Sequence, residues 1–380
     1  MKISVLCFDL SDNAAGRADL LARLLAPLGE VEVIGPRSGP TPWMPVAEGP
    51  VRYSGVPERR MPGFLMTMAE LSRRADGDLV YASKTRLGSA GVGYLKRVLG
   101  RRPLLLDIDD WEVGFYLRSG AAGTLGRALN LGNPKGLPWT WLAGRLTGLA
   151  NGITVASRFL QQRFGGTLVP HVRDTDAWKP GSGSPVEARR RLGIADERVV
   201  MFLGTPRGYK GLDDLGAAMA GLGRKDVRLA VVGTLPESVL GRDLARRFPG
   251  ICLAPPIAFE EIPTFLSAAD VVVVPQRDTP DTRGQVPAKL FDAMALGRPI
   301  VSTRVSMIPE ILEGCGLLVE AGAVSALGAA IARLLDDPGE AAALARRARE
   351  RCVERYSFSA ARRDLFPLIE QVTTGPRVRR

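Results

Sequence analysis

The segment that most constrains the fold is a run of four valines followed by a polar loop, a short helix and a second strand. The first strand spans Val271 to Pro275, the helix is predicted from Lys289 to Leu296, and the second strand spans Ile300 to Thr303. A Gly-Arg-Pro sequence before the second strand ends the helix, because proline cannot continue it. This order predicts a parallel β-α-β unit whose loop lies at the C-terminal edge of the first strand. Open α/β sheets bind ligands at that edge, with anionic groups near helix N-termini.

The same alternation recurs in both halves of the 380-residue chain, beginning at the strands Ile3 to Phe8 and Arg198 to Gly204. It predicts an α/β protein with two doubly wound parallel sheets. The Gly/Ser/Pro run from Pro180 to Pro185 is the clearest linker, and the Pro- and Gly-rich stretch from Gly35 to Val56 is predicted to be a mobile loop. The predicted domains are a first Rossmann-like domain over 1–175, a second over 186–355, and a closing helix with a basic tail over 356–380.

Composition and charge narrow the class of protein. The hydrophobic fraction of 46% and the charged fraction of 24% are typical of a soluble globular chain, and no apolar run approaches the roughly 18 residues of a membrane span. The opening sequence turns acidic too early for a signal peptide, and four widely spaced cysteines favour buried free thiols in a reducing cytosol rather than a metal site. The net charge of +11 fits an anionic substrate or an anionic membrane surface, and its dispersed arginines without aromatic interleaving disfavour nucleic acid.

An acidic cluster follows one predicted strand of the first half. The sequence DIDDWE supplies Asp107, Asp109, Asp110 and Glu112 directly after Leu106. Such a cluster is unfavourable unless a cation, arginines or a hydroxyl-rich ligand balances it. Three interpretations remain open: the carboxylates orient a hydroxyl or act as a general base, they bind Mg²⁺, or they cap a helix N-terminus.

Three other parts of the chain have two interpretations each. The loop Asn13 to Arg17 either lines a cleft or starts a helix, and His171, the only histidine, is either a cleft residue or structural. The segment from Gly114 to Gly144 either contacts a membrane interface or an apolar ligand, or it is an insertion whose tryptophans pack inward. Its basic and aromatic residues are Arg118, Arg127, Lys135, Trp139 and Trp141.

The second half opens with a strand, a basic glycine-rich loop and a helix. The loop Thr205 to Gly211, with the sequence TPRGYKG, carries Arg207 and Lys210 and precedes the helix Leu212 to Gly221. Its glycines let backbone N–H groups approach an anion, and its cations neutralise phosphate oxygens. The spacing is not that of a P-loop, and no G-x-G-x-x-G follows the first strand of the chain. The loop is therefore predicted to receive a diphosphate.

From this loop onward the chain resembles the retaining GT-B glycosyltransferases of family 4, also called group 1. The resemblance rests on Gly204 with Arg207 and Lys210, and on the sequence LFDAMALGRPIV from Leu290 to Val301. The sequences PEI at 309–311, GLLV at 316–319 and YSF at 356–358 are also similar to the family. The resemblance extends over residues 165–365 and is poor in the first half.

The resemblance implies two Rossmann-like domains that face each other across a cleft, the first for an acceptor and the second for a nucleotide sugar such as a UDP- or GDP-sugar. It implies a hexosyltransferase that acts with retention and without a metal or cofactor. Its acceptor is a glycan, a lipid-linked molecule or a small molecule, and it works in the cytoplasm or at the inner face of the membrane. Arg207 and Lys210 then stabilise the leaving group, and Asp109 stands where relatives have a histidine. The implied donor-binding residues are Gly204, Asp281, Gln285, Lys289, Leu290, Asp292 and Glu310.

The chain departs from the family pattern at three positions. Gly284 and Asp292 replace the two glutamates of the donor motif, and Thr205 replaces the arginine after the loop glycine. Either Asp278 or Asp281, or the backbone amides of residues 285–288, then take the place of the first glutamate. The departures leave two alternatives: a non-catalytic subunit that binds a nucleotide sugar, and an epimerase or phosphorylase-like enzyme with the same fold.

Overall fold

The computed structural model describes residues 1–374 except Glu48, 118–125 and 127–128. Arg118, Arg127 and the basic tail at 376–380 therefore lie outside the described residues. The chain forms two compact units: residues 1–170 together with the chain from Ala361 onward form the first, and residues 171–360 form the second. Within the described ranges, no helix has both the length and the apolar character to span a bilayer.

The described part of the first unit builds a seven-stranded parallel sheet in the order β3-β2-β1-β4-β5-β6-β7. Its central strands are buried on both faces, which explains their continuous apolar sequences. The strands are β1 Lys2–Leu6, β2 Glu30–Arg37, β3 Arg52–Pro57, β4 Leu79–Ser83, β5 Leu104–Ile108, β6 Gly152–Val155 and β7 Thr167–Leu168.

Helices connect these strands in the α/β order that the sequence predicts. Phe64, Tyr94, Ala143 and Leu160, from four different helices, share one buried core cluster with the strands. The helices are α1 Ala14–Leu25, α2 Met44–Ala47, α3 Phe64–Arg74, α4 Val92–Leu99, α5 Gly114–Leu117, α6 Leu137–Arg145 and α7 Arg158–Phe164.

The stretch from Gly35 to Val56 is not the mobile loop that its composition predicts. Strand β2 continues to Arg37, and β3 pairs with it in parallel from Glu32 opposite Arg52 to Arg37 opposite Pro57. Because β3 is an edge strand, Pro57 is tolerated at its end. Its pairing with β2 comes from the tertiary fold, which local Gly and Pro content does not reveal.

The described part of the second unit builds a six-stranded parallel sheet in the order β10-β9-β8-β11-β12-β13. The strands are β8 Arg198–Leu203, β9 Val227–Val232, β10 Cys252–Ala254, β11 Val271–Val274, β12 Ile300–Thr303 and β13 Leu317–Val319. The helices are α8 Pro185–Leu192, α9 Leu212–Leu222, α10 Val239–Arg247, α11 Ile262–Ser267, α12 Ala288–Ala295, α13 Ile308–Ile311, α14 Val324–Asp336 and α15 Pro338–Arg355. The last helix, α16 Phe358–Thr374, begins in the second unit and belongs to the first unit from Ala361 onward.

The strand order of the second sheet places its ligand-binding edge. Strand β8 lies between β9 and β11, so the chain leaves β8 toward one side and later returns on the other side. Such a reversal is the topological switch point at which open α/β sheets bind ligands. The loops after β8 and β11, residues 204–211 and 275–287, therefore emerge next to each other.

Two further predictions concern the linker and the cysteines. The run from Pro180 to Pro185 lies inside the second unit, where the Ser184 hydroxyl accepts a hydrogen bond from the Glu187 N–H and caps α8. All four cysteines are described and none forms a disulfide. Cys252 is only partly buried, whereas the other three are buried.

Candidate functional site

Two glycines bring the loop after β8 against the end of β11. Gly204 has a φ of +105° and Gly211 a φ of +68°, which is backbone that favours glycine. A Cβ atom at Gly211 would lie 1.7 Å from the carbonyl oxygen of Pro275, so only glycine allows this approach. The loop that carries Arg207 and Lys210 is thereby fixed at the switch point of the sheet.

Three cations converge at this edge of the second unit. The Lys210 Nζ donates to the Thr205 carbonyl at 2.8 Å, and Arg207 is exposed beside it. The Lys289 Nζ, on the first turn of α12, is buried 3.8 Å from the centroid of the Phe202 ring and has no hydrogen-bond partner among the described residues. Among the described residues, no carboxylate lies within 4 Å of any of these three cations.

The pKa values reflect this uncompensated charge. Burial, with the charge of Arg207 as the second cause, lowers the pKa of Lys210 to about 8. Burial and then the charge of Lys210 lower the pKa of Lys289 well below its ordinary value, although Asp292 acts in the opposite direction. An anion bound here would oppose both shifts, because it places a negative charge beside the two ammonium groups.

Asp292, the residue predicted to bind ribose, forms an ion pair within the second unit. Its Oδ1 accepts from the Arg173 Nε, and the Arg173 Nη2 donates to the Ala288 carbonyl at 3.2 Å. Burial raises the pKa of Asp292, and Arg173 opposes that rise. Arg173 is a site residue that the sequence reasoning missed, since 119 residues separate it from its partner.

The other predicted donor-binding residues have different surroundings. The side chain of Leu290 is fully buried and its N–H donates to the Pro287 carbonyl, so neither group is left for a ligand. Asp281 is buried and accepts from the Thr279 hydroxyl at 2.8 Å. Gln285 follows a short 3₁₀ turn that contains Gly284. Glu310 is half-buried on α13 and borders a surface depression of about 690 Å³.

In the first unit, the acidic cluster is divided between two sets of cations. Asp107 is fully buried and bound by Arg17, with Nε–Oδ2 at 2.9 Å and Nη2–Oδ1 at 2.7 Å. The same guanidinium donates to the carbonyls of Val169 and Pro170. Arg17 is thus an internal structural residue of α1, and the loop before it starts that helix.

The other three carboxylates surround the ammonium group of Lys84. The Lys84 Nζ lies 2.7 Å from Asp109, 2.6 Å from Asp110 and 3.4 Å from Glu112. Glu112 is also bound by Arg86. Burial raises the pKa of Asp109 to about 7, and Lys84 limits the rise. The carboxylate oxygens are close enough together to hold a metal ion, but the lysine stands among them.

The segment from Gly114 to Gly144 combines buried ion pairs with exposed apolar groups. The Lys135 Nζ bridges Asp9 at 2.5 Å and Glu58 at 2.6 Å, so this lysine is engaged internally. The Trp139 indole donates to the Leu131 carbonyl at 2.9 Å, and Trp141 is exposed.

In the second unit, the ring centroid of His171 lies 6.3 Å from that of Phe291.

Comparison with protein families gives this arrangement a context. Residues 197–337 match the family model described as "Glycosyl transferases group 1". This segment is similar to the group 1 glycosyltransferases. It contains the cation cluster, α12 and the strands of the switch point, so the predicted resemblance is confirmed for the unit on which it mainly rests.

Curated relatives agree with this assignment. A "GDP-mannose-dependent alpha-(1-6)-phosphatidylinositol monomannoside mannosyltransferase" of Mycolicibacterium smegmatis is 29% identical over 277 residues, which cover 67% of this chain and 66% of that protein. A "D-inositol 3-phosphate glycosyltransferase" of Kineococcus radiotolerans is 31% identical over 211 residues, covering 48% and 47%. The chain thus matches between about half and just under two thirds of the length of these relatives.

Solved structures match the whole chain at the level of the fold. The structure described as Anabaena Alr3699/HepE in complex with UDP and glucose superimposes with a TM-score of 0.76 at 19% identity, covering 97% of this chain and 99% of that one. The predicted α/β architecture with two Rossmann-like domains, the GT-B fold, is confirmed.

Proposed function

We propose that the protein is a glycosyltransferase that moves a sugar from a nucleoside diphosphate sugar to an acceptor hydroxyl with retention of configuration. The observation that carries the proposal is the cluster of Arg207, Lys210 and Lys289 at the switch point, within 4 Å of which the described part of the chain places no carboxylate. A buried ammonium group without a partner is unfavourable unless a ligand neutralises it. A diphosphate supplies that charge, and the named donors of the curated relative and the UDP of the fold neighbour belong to this class.

In the proposed mechanism the second unit stabilises the departing nucleoside diphosphate. Lys210 and Lys289 neutralise the oxygens on which charge develops, Arg207 adds a bidentate donor, and the N-terminus of α12 adds its dipole. The acceptor hydroxyl attacks from the face that the diphosphate leaves, which preserves the anomeric configuration. Asp109 in the first unit is proposed to orient the acceptor.

Nucleotide release from a panel of UDP-, GDP- and TDP-sugars tests this proposal. One sugar nucleotide is expected to be consumed, and Lys210→Met should weaken nucleotide binding about tenfold or more, because hydrogen bonds to charged groups contribute about 1.5–3 kcal/mol. Since the Lys210 pKa is about 8, affinity should fall as the pH rises from 7 to 9. Lys225→Met, at an exposed lysine of the same unit, is the control.

The outcomes separate the alternatives left open by the sequence. Binding without turnover, lost in Lys210→Met, would favour a non-catalytic nucleotide-sugar-binding subunit, for which Gly284 is the supporting departure. Absence of both binding and turnover, with Lys210→Met equal to the unmodified protein, would overturn the diphosphate assignment.

We further propose that the acceptor is presented at a membrane surface with anionic lipids. The first unit has an apolar rim of exposed side chains: Leu65 is 60%, Met66 65%, Leu129 73%, Leu131 57% and Trp141 51% exposed. Residues 1–170 contain 21 Lys and Arg against 14 Asp and Glu. Exposed apolar and aromatic groups combined with basic charge favour adsorption to anionic lipid headgroups.

The segments of the apolar rim are held together by direct contacts. The Met61 N–H donates to the Gly132 carbonyl at 3.1 Å, and the Trp139 indole donates to the Leu131 carbonyl. The Arg86 Nη1 donates to the Lys135 carbonyl at 2.9 Å and also binds Glu112 through its Nε. Arg86 therefore links the chain segment that follows Leu131 to the acidic cluster that contains Asp109.

Co-sedimentation with vesicles tests the membrane proposal. We expect the protein to bind vesicles that contain phosphatidylglycerol and to bind pure phosphatidylcholine vesicles more weakly. The double variant Leu65→Ser with Met66→Ser should lose about tenfold in affinity for the phosphatidylglycerol vesicles, because adsorption scales with the buried apolar area. The control is Leu99→Ser, which removes an apolar side chain that is 79% exposed at the C-terminal end of α4. Equal loss in both variants, or equal binding to both vesicles, would contradict the proposal.

A further inference from the structure

Lys84 is a buried lysine in a backbone conformation that is unusual for its residue type. It follows β4 with a φ of +71°, and its side chain is only 8% exposed. Non-glycine residues in this region are strained, and such strain persists only where surrounding contacts enforce it. Nothing in the local sequence sets Lys84 apart from other charged residues.

Every polar group of Lys84 is engaged. Its N–H donates to the Asp107 carbonyl at 2.7 Å, and its own carbonyl accepts from the Arg86 N–H at 2.9 Å and the Ser89 hydroxyl at 2.8 Å. These bonds fix the strained backbone between β4 and β5. The ammonium group is thereby directed at the carboxylates that follow β5.

Acidic and basic groups alternate around this ammonium group. Lys84 pairs with Asp109, Asp110 and Glu112, and Arg86 pairs with Glu112 from the other side. Although burial alone would lower it, these carboxylates raise the pKa of Lys84 well above its ordinary value. The lysine therefore stays charged beside these carboxylates.

We propose that Lys84 is a built-in counter-cation that occupies the place of a divalent metal ion and positions the carboxylate of Asp109. Three carboxylates whose oxygens lie within 4.8 Å of one another are a ligand set for Mg²⁺ or Mn²⁺, and the Lys84 Nζ lies among them. The lysine holds them through ion pairs, with a hydrogen bond to Asp110 at 2.6 Å, instead of through coordination bonds. Its role in transfer is that of a positioning residue that acts through Asp109, and this part rests on the proposed function.

Removal of the lysine should convert the cluster into a metal site. Lys84→Gly removes the ammonium group and suits the positive φ, so the backbone strain is relieved rather than increased. We expect 1 mM Mn²⁺ to raise the Tm of Lys84→Gly by several degrees and to leave the Tm of the unmodified protein unchanged, because a ligand that binds only the folded state stabilises it. Lys84→Asn, whose side chain also tolerates this backbone region, provides a second variant if Lys84→Gly does not fold.

A matched control is available in the same unit. Lys135 bridges only two carboxylates, those of Asp9 and Glu58, so Lys135→Gly should gain no comparable Mn²⁺ response. A Tm rise in the unmodified protein equal to that in the Lys84 variants would overturn the proposal. The proposal would also be overturned if Mn²⁺ raised the Tm of Lys135→Gly equally, or if it raised the Tm of neither Lys84 variant.

Kinetics tests the positioning role separately. Lys84→Gly should lower kcat for transfer about 10–100-fold, as loss of an orienting partner does at comparable sites, and leave nucleotide affinity in the second unit unchanged. Mn²⁺ should restore part of kcat in the variant alone. A loss of kcat that Mn²⁺ does not restore in a variant that binds Mn²⁺ would reduce Lys84 to a structural ion pair. The Tm measurement remains decisive even if no sugar nucleotide is consumed, so the two proposals fail independently.

Discussion

Replacement of Lys289 by methionine is expected to stabilise the protein while it weakens the binding of a nucleoside diphosphate. The Lys289 Nζ is buried, no described residue forms a hydrogen bond with it, and it contacts the face of Phe202 at 3.8 Å from the ring centroid. A methionine of similar length preserves the packing and removes the desolvated charge. Burial of a polar group without a hydrogen bond costs about 1–3 kcal/mol in protein variants, so the free energy of unfolding should rise by about that amount.

The same substitution removes a ligand contact. Loss of a charged hydrogen bond to phosphate should weaken UDP or GDP binding about 10–100-fold, from a contribution of about 1.5–3 kcal/mol. Thermal unfolding and calorimetric titration measure the two effects on the same samples. For a unit of this size each kcal/mol corresponds to about 2–4 °C in Tm.

The pH dependence of the stability difference between Lys289→Met and the unmodified protein tests the same explanation. The folded-state pKa of Lys289 lies well below its ordinary value, so the unfolded chain binds more protons in the interval between the two. The loss of folding stability caused by the buried ammonium group is fully present below the folded-state pKa of Lys289, and it disappears as the pH rises toward 10.5. The advantage of Lys289→Met should therefore shrink with rising pH. Lys225→Met should change neither Tm nor affinity; a less stable Lys289→Met with unchanged affinity would contradict the assignment.

The sequence predicts the second unit well because its signals are local. Val271–Val274 and Ile300–Thr303 are found where their β-branched runs indicate, and α12 begins one residue before its predicted start. The family resemblance assigns Lys210 and Lys289 to one donor site, and the strand order brings them together, because the loops after the adjacent parallel strands β8 and β11 meet at one edge of the sheet. Strand β3 was missed because only its pairing with β2 makes it a strand.

The ion-pair partners are beyond the reach of local sequence patterns. Asp109 meets Lys84 only because β4 and β5 are neighbours, and Asp292 meets Arg173 across 119 residues. The acidic cluster indicates that compensating cations must exist, but the strand order alone determines which cations they are. The sequence therefore predicts an excess of negative charge after β5, and the order of the strands determines which cations compensate it.

Loss of Arg17 is expected to be the most destabilising single change in the first unit. Its guanidinium holds Asp107 through two hydrogen bonds, and both side chains are almost completely buried at 2% and 0% exposure. Arg17→Met leaves the Asp107 carboxylate in the core with the hydroxyl of Thr154 as its remaining side-chain donor. Breaking a buried pair from one side typically costs about 3–5 kcal/mol, a large share of the stability of an ordinary domain.

Three further variants distinguish this explanation from a simple packing defect. Arg17→Lys should be almost as unstable as Arg17→Met, because the point charge of a lysine replaces neither the bidentate bond to Asp107 nor the bonds to the carbonyls of Val169 and Pro170. Arg17→Met combined with Asp107→Asn should recover much of the loss, since no buried charge remains unpaired. Arg52→Met breaks an exposed pair with Glu30 and should cost no more than about 1 kcal/mol. Urea unfolding measures all four, and a double variant no more stable than Arg17→Met would show that lost packing, rather than the unpaired carboxylate, dominates.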